Sequence, residues 1–561
     1  MKKALCLLLS CLMIGSLACC AGPRSAQMPQ STGEFSLYGI PTVFEDPFAP
    51  QPSELSFSEI SDPVRTDIEP LKTALARMES LCAEKNALAD LQELYRFCYN
   101  EVVDIKTEAS VASIRYDMDT QSPERMETSL RAAALQAEAV TLYESTMKKV
   151  LASSYAKQMI RFIGPDVAAL FETPEVDPVR LAELLTREDA CIKEYNRLRS
   201  GSLPEEERKL RMAELYIGLV EVRREIAAIY GYENAAEYYY KEAYSREYSP
   251  EEAAAFHANV KEYIVPAVQR INRIFTGRTD AVMRAEQTLS VLETYLPQIS
   301  PEMAELYAQL TERDMIFVTD DCNASRGAGY TMKLYRQAGA LVYNGSPHRS
   351  YRTLTDTVHE FGHYCDIRLN GIFSAQAPVW KYDLAEVCSS GLEVLFYDYY
   401  DEIFSGETGD EKAALLKGFL ELIVSGCLYD EAQQRVFAYE GELTPDVVNA
   451  IFLFTAAEYG FISVSGDYFW TANLHNYRYP FYYLSYAAAY AASSELWMMA
   501  RTEGRQAAVD TYLQLLSMGS FEYSYSQVME ACGMQGFASE EMLSRLARTV
   551  EEEVALLLGK N

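Results

Sequence analysis

The 561-residue chain reads as mainly α, and three observations carry that reading. Apolar residues recur at helical spacing through 66–105, 125–162, 178–231 and 250–275. Breakers sit where one helix would hand over to the next, at Gly164-Pro165, Gly201-Ser202 and Ser249-Pro250. Strand chemistry is confined to one stretch, which begins at Gly327-Ala328-Gly329-Tyr330 and leads to Ala340-Leu341-Val342-Tyr343-Asn344-Gly345.

The first 18 residues have a short basic head (Met1-Lys2-Lys3), an apolar run and small residues before Cys19-Cys20, as in a secretory signal. A cysteine after Leu17-Ala18 predicts a bacterial lipoprotein, with Cys19 as the lipidated N-terminus and the protein exported and held to the cell membrane. Ser16 stands where such signals usually carry leucine, and a cleaved signal without lipid or a retained anchor are the alternatives. No later run of about 18 apolar residues occurs. Residues 19–65 hold seven of the 21 prolines among Ser, Gln and Glu, a composition that predicts an extended tether. The other reading is a leader packed along the domain surface. From residue 66 to 561 we expect one large unit, with a mostly N-terminal helical part over 66–320 and a second part over 321–561. No internal repeat, phosphate loop or sustained heptad interrupts it.

The strand stretch lies just before Thr357-Val358-His359-Glu360-Phe361-Gly362-His363-Tyr364-Cys365-Asp366. Leu354, Val358, Phe361, Cys365 and Leu369 form one apolar helix face, and Gly371 is a natural stop. His359 and His363 are four apart, so both imidazoles can reach one ion, while Glu360 points to a neighbouring sector. That is the pattern of two imidazoles on Zn²⁺ with a carboxylate taking the proton of an attacking water. The chain has only 5 histidines, so the motif arises by chance in roughly a few per thousand such chains. The bland alternative is a core helix with two satisfied histidines.

A catalytic zinc needs a third protein ligand and an open fourth position. Glu386, in Asp383-Leu384-Ala385-Glu386, comes 23 residues after His363, room for a loop and an antiparallel neighbouring helix. Glu393 lies two turns further on the same face, and reads either as a carboxylate orienting a ligand histidine or as a solvated helix residue. The strand could pair with an extended peptide at its edge, or be purely structural. His348 and His257 read as structural.

These residues carry a resemblance. His359-Glu360-Phe361-Gly362-His363, with Leu384-Ala385-Glu386 and Glu393, resembles the zinc oligopeptidases of the thimet oligopeptidase and oligoendopeptidase F group. Residues 112–120 and 225–238 resemble segments of the oligoendopeptidase F helical lobe, and the likeness runs from about residue 70 to the C-terminus. It implies a large two-lobed helical zincin of the gluzincin type, with a deep cleft and a small β-sheet beside the metal helix. It also implies one Zn²⁺ per chain on His359, His363 and Glu386, Glu360 as general base, and short unfolded peptides as substrates. The stretch from His475 to Ala487 is similar to one that supplies a histidine and tyrosines opposite the zinc, where donors stabilise the oxyanion. His475, Tyr482 and Tyr486 are the candidates, with Tyr483 in reserve. The gap from His475 to Phe481 is one residue longer than in the oligoendopeptidases, and Leu484 stands where a tyrosine is often found, which leaves the donor open. With 40 tyrosines in the chain, simple packing is the competing account.

The net charge of −31 argues against nucleic acid or anionic lipid as a partner and suits an exported monomeric enzyme. Eight cysteines after Cys20 form neither a metal-binding spacing nor a dense disulfide framework. Two rival functions remain on the same residues: a zinc carboxypeptidase or dipeptidase, and a tethered peptide-binding lipoprotein without catalysis.

Overall fold

The computed structural model describes residues 44–559, apart from 173–175, 200, 202, 278, 280, 322–328, 346–349, 407 and 462–467. The signal segment with Cys19 and Cys20, the tether up to residue 43, Gly327, Ala328 and His348 lie outside the described residues.

The chain is mainly α with a small sheet. Its N-terminal helices are α1 (Glu69–Leu81), α2 (Leu88–Met118) and α3 (Pro123–Leu151), followed by α4 (Pro178–Arg199) and α5 (Glu205–Ile229). Two helices carry the apolar periodicity over 66–105: the chain turns between α1 and α2, and α2 then continues to Met118. Asn86 adopts a left-handed conformation there (φ 59°), and the Tyr155 hydroxyl closes the turn by donating to the Glu84 carbonyl (2.6 Å) and accepting from the Ala87 amide (3.0 Å). Ser122 caps α3 through the Arg125 amide, with proline in the first turn, where its missing N–H costs nothing.

The sheet has three strands, β1 (Ile316–Val318), β2 (Gly329–Leu334) and β3 (Gly339–Asn344), in the order β1-β3-β2. β2 and β3 form an antiparallel hairpin in which Thr331 faces Val342, and β1 runs parallel to β3. β1 is too short for a periodicity signal. The motif helix α6 (Tyr351–Asn370) follows, then α7 (Tyr382–Leu395), α8 (Gly409–Phe437), α9 (Tyr483–Thr502) and α10 (Arg505–Met518).

Buried apolar side chains fall into two large clusters. One gathers α1, α3, α2 up to Ile105 and the residues up to Phe171; the other unites residues from Leu184 to Val554, including the sheet and α6 to α10, and takes in Phe57 and, from the end of α2, Val111 and Ile114. The helices between Leu184 and β1 pack into the same apolar interior as α6. The described part of the proline-rich stretch is laid on the domain. Phe48 packs against Tyr95, Tyr99 and Phe162, Phe57 is buried, and Asp46 accepts from the Tyr99 hydroxyl (2.6 Å). Among the described residues every cysteine is free, and no helix is long and apolar enough to cross a membrane.

Candidate metal centre

The site begins with a close approach of α6 and α7. A Cβ on Gly362 would stand 2.6 Å from the Ser389 Cα and 2.7 Å from the Cys388 carbonyl oxygen, so only glycine lets the two helices touch there. That contact brings Glu386, one turn before Ser389, beside the imidazoles of α6. The His359 Nε2 lies 3.3 Å and the His363 Nε2 3.7 Å from Glu386 Oε2. One atom from each of the three residues lies within 4.8 Å of the others. Three ligands at zinc–donor distances of about 2.0–2.2 Å in a tetrahedron stand roughly 3.3–3.6 Å apart, so the arrangement accepts a small dication with little movement.

The chemistry of the surroundings points the same way. Glu360, Glu386 and Glu393 are all buried around two imidazoles, an excess of negative charge that a cation would neutralise. Burial opposes charge on Glu386, but the His359 hydrogen bond and the neighbouring imidazoles win and pull it down to about 2. Burial likewise opposes charge on His359, yet Glu386 and Glu393 outweigh it and hold its imidazole well above the usual range. On His363 burial outweighs the Glu386 charge and lowers it to about 4. Burial raises Glu360 to about 7.

Glu393 contacts His359 directly: its Oε1 lies 2.7 Å from His359 Nδ1 and also accepts from the Tyr490 hydroxyl (3.0 Å). This fixes the ring so that Nε2 faces the site. Glu360 is held from the sheet, where Thr331 Oγ1 on edge strand β2 donates to its Oε2 (2.9 Å) and to its backbone carbonyl (2.7 Å). Gly329, on the same face of β2, leaves only the room that the Glu360 side chain fills, since a Cβ there would meet its Cγ at 3.0 Å.

His475, Tyr482, Tyr483 and Tyr486 form one aromatic group beside Glu386. The His475 ring lies 5.4 Å from Tyr482, 4.9 Å from Tyr483 and 6.0 Å from Tyr486, and Tyr482 and Tyr486 lie 5.2 Å apart. The Tyr482 hydroxyl donates to Glu386 Oε1 at 2.5 Å. Burial and the Glu386 charge keep the Tyr482 and Tyr486 phenols protonated far beyond neutral pH, and burial lowers His475 to about 4. All three are therefore neutral hydrogen-bond donors at pH 7. His257 belongs to the core instead, with Nε2 3.1 Å from Asp430 Oδ2.

Sequence reasoning missed Thr331, Tyr490 and Trp380, whose indole stands 5.8 Å from the His363 ring. Tyr490 had a signal, since Tyr482, Tyr486 and Tyr490 recur every four residues along one face of α9. Trp380 and Thr331 had none. Lys333, on the same face of β2 as Thr331, also escaped notice. Its ammonium lies 4.4 Å from the Phe521 ring centre and 5.3 Å from that of Trp380, and burial lowers it to about 7.

No protein-family profile and no curated protein sequence matches the chain. Solved structures do. A PZ peptidase A structure with an inhibitor superposes at a TM-score of 0.71 and 19% identity, covering 89% of this chain and 99% of its own. A structure described as oligoendopeptidase F gives 0.70 and 19%, covering 89% and 98%. Another so described, from Bacillus anthracis, gives 0.69 and 18%, covering 90% and 99%. At these identities the likeness is one of fold: the chain has the mainly helical fold of the PZ peptidase and oligoendopeptidase F structures, nearly end to end.

Proposed function

We propose that the protein is a zinc metallopeptidase that cleaves short unfolded peptides internally. The observation that carries this reading is the convergence of His359, His363 and Glu386 on one point, with Glu360 held beside it by the edge strand. A zinc ion bound there supplies Lewis acidity and makes a water nucleophilic near neutral pH. Glu360 accepts the proton of the attacking water and returns it to the leaving amine, and Thr331 keeps its carboxylate aimed. Tyr482, Tyr486 and His475 offer O–H and N–H groups to the oxygen of the tetrahedral carbon as charge builds on it. β2 is an edge strand of the sheet, and an extended peptide can lie along its outer side.

Hydrolysis of a mixed peptide library by residues 44–561, with zinc assayed in parallel, tests this. Internal cleavage with about one zinc per chain is expected; zinc without cleavage, or neither, overturns it. A second reading has one observation in its favour: a Pyrococcus furiosus carboxypeptidase shares the fold at a TM-score of 0.55 and 13% identity. Peptides with blocked C-termini separate the two, because only an endopeptidase cuts them. We also propose export and anchoring through Cys19. Palmitate labelling of the full chain, lost in Cys19→Ala, is the expected result.

A further inference from the structure

Tyr482 reaches the metal centre from an unusual piece of backbone. The residue before it, Phe481, has φ +65°, a left-handed conformation that bulky side chains rarely adopt and that persists only where the surroundings impose it. Three groups impose it here. The Tyr244 hydroxyl donates to the Pro480 carbonyl (2.6 Å), the Phe481 amide donates to Gln433 Oε1 of α8 (3.3 Å), and Arg246 Nη2 donates to the Phe481 carbonyl (3.1 Å).

Arg246 does more than hold that carbonyl. The same Nη2 donates to Ser485 Oγ in the first turn of α9 (2.9 Å), and its Nε donates to Asp383 Oδ1 (3.3 Å). Asp383 opens α7 one turn before Glu386, and it is further fixed by Ser485 (2.5 Å) and by the Tyr248 hydroxyl (2.6 Å). The guanidinium is wholly buried, stacked between Tyr240 and Tyr244 at 4.5 and 4.8 Å from their ring centres. One planar cation thus ties the helix of Glu386 to the turn of Tyr482 and the helix of Tyr486, from a segment that lies over 130 residues earlier in the chain.

We propose that Arg246 is a positioning residue for the oxyanion donors: it fixes where Tyr482 stands relative to Glu386, whose approach to the imidazoles is set by the α6–α7 contact at Gly362. This rests on the peptidase reading above. A point charge cannot replace it, since Lys has no planar fork to bridge the Asp383 carboxylate, the Phe481 carbonyl and Ser485 at once.

The test uses Arg246→Lys and Arg246→Met in the full chain. Bound zinc should stay at the parent level. kcat should fall about 10- to 100-fold, as expected for a small misplacement of a catalytic donor, with KM changed less than about threefold. Affinity for a phosphinic peptide, a tetrahedral mimic, should fall in parallel with kcat/KM, while affinity for a simple hydroxamate holds. Unchanged kcat in a folded, zinc-loaded variant overturns the proposal, and so does loss of zinc, which would make Arg246 a scaffold for the ligands. Where both variants misfold, Tyr244→Phe decides: it removes only the bond to Pro480, and an unaltered kcat in it is equally fatal. A readout independent of turnover is the fluorine resonance of 3-fluorotyrosine installed at Tyr482, which should shift in Arg246→Lys. An inactive parent enzyme whose resonance still shifts would refute the peptidase reading and leave the positioning role standing.

Discussion

At the residue scale, the site depends on two carboxylates with different tasks in similar burial. Glu360 touches neither imidazole as a ligand would and is aimed by Thr331, so Glu360→Gln should retain zinc and lose turnover by about 10²- to 10⁴-fold in a peptide assay. Near-normal kcat in that variant would remove the general base from the mechanism. Glu393 acts through His359. Its contact with Nδ1, together with Glu386, holds the imidazole pKa above its ordinary value, so without a cation His359 keeps its proton at pH 7. Zinc binding must then expel that proton, whereas His363, lowered to about 4, is already neutral and releases none. Calorimetry at pH 7 in buffers of different ionisation enthalpy should therefore show release of about one proton or more per zinc. In Glu393→Gln the raised pKa relaxes downward, so the release should shrink and zinc affinity should drop about 10- to 100-fold. Equal release in both proteins would detach Glu393 from this role. The pairing of His359 and His363 was legible in the sequence because one helix sets their spacing. Thr331 was not, because its contact with Glu360 depends on where a strand lies against that helix.

At the element scale, the decisive contact is the one between α6 and α7. A methyl group at Gly362 would overlap backbone atoms of Ser389 and Cys388, which have no side chain to swing away. Gly362→Ala should therefore push the helices apart, cost about 1–3 kcal/mol in stability, and weaken zinc binding as Glu386 withdraws from the imidazoles. Chemical denaturation and zinc titration measure the two effects; a variant that loses neither would mean that α7 is held by its other neighbours alone. The helices and the existence of a strand beside the motif were readable from period and composition. The turn between α1 and α2 was hidden because the apolar pattern runs straight through it, and what breaks the helix there is a left-handed Asn86 and a tyrosine hydroxyl from 68 residues away. β1 was hidden because three residues carry no period, and its pairing with β3 is made by the tertiary fold.

At the scale of the whole molecule, the question is what belongs to the folded body. Proline, serine and glutamine over 19–65 predict an unpacked tether, and composition alone has no means of weighing four phenylalanines (Phe35, Phe44, Phe48 and Phe57) against them. In the structure three of them, Phe44, Phe48 and Phe57, lie against the folded body within residues 44–60. Phe44 and Phe48 join the cluster of α1 to α3, and Phe57 enters the main core, only 6% exposed, beneath the Arg115 guanidinium 5.5 Å away. Backbone bonds continue the attachment, from the Ser53 amide to the Gln337 carbonyl (2.9 Å) and from the Phe57 amide to the Arg313 carbonyl (2.8 Å). The strap thus crosses from the N-terminal helices to the segments flanking the sheet, and its removal should destabilise both clusters together. Phe57→Ala in the full chain should cost about 3 kcal/mol, because the ring is fully enclosed and its neighbours on several helices cannot close the gap. Phe48→Ala, whose ring is partly exposed, should cost less. Neither side chain touches the metal centre, so zinc content and kcat should stay at parental values while the urea midpoint falls. If Phe57→Ala unfolds at the parental midpoint, the strap is a passenger on the surface and the tether reading recovers its claim to residues 44–60.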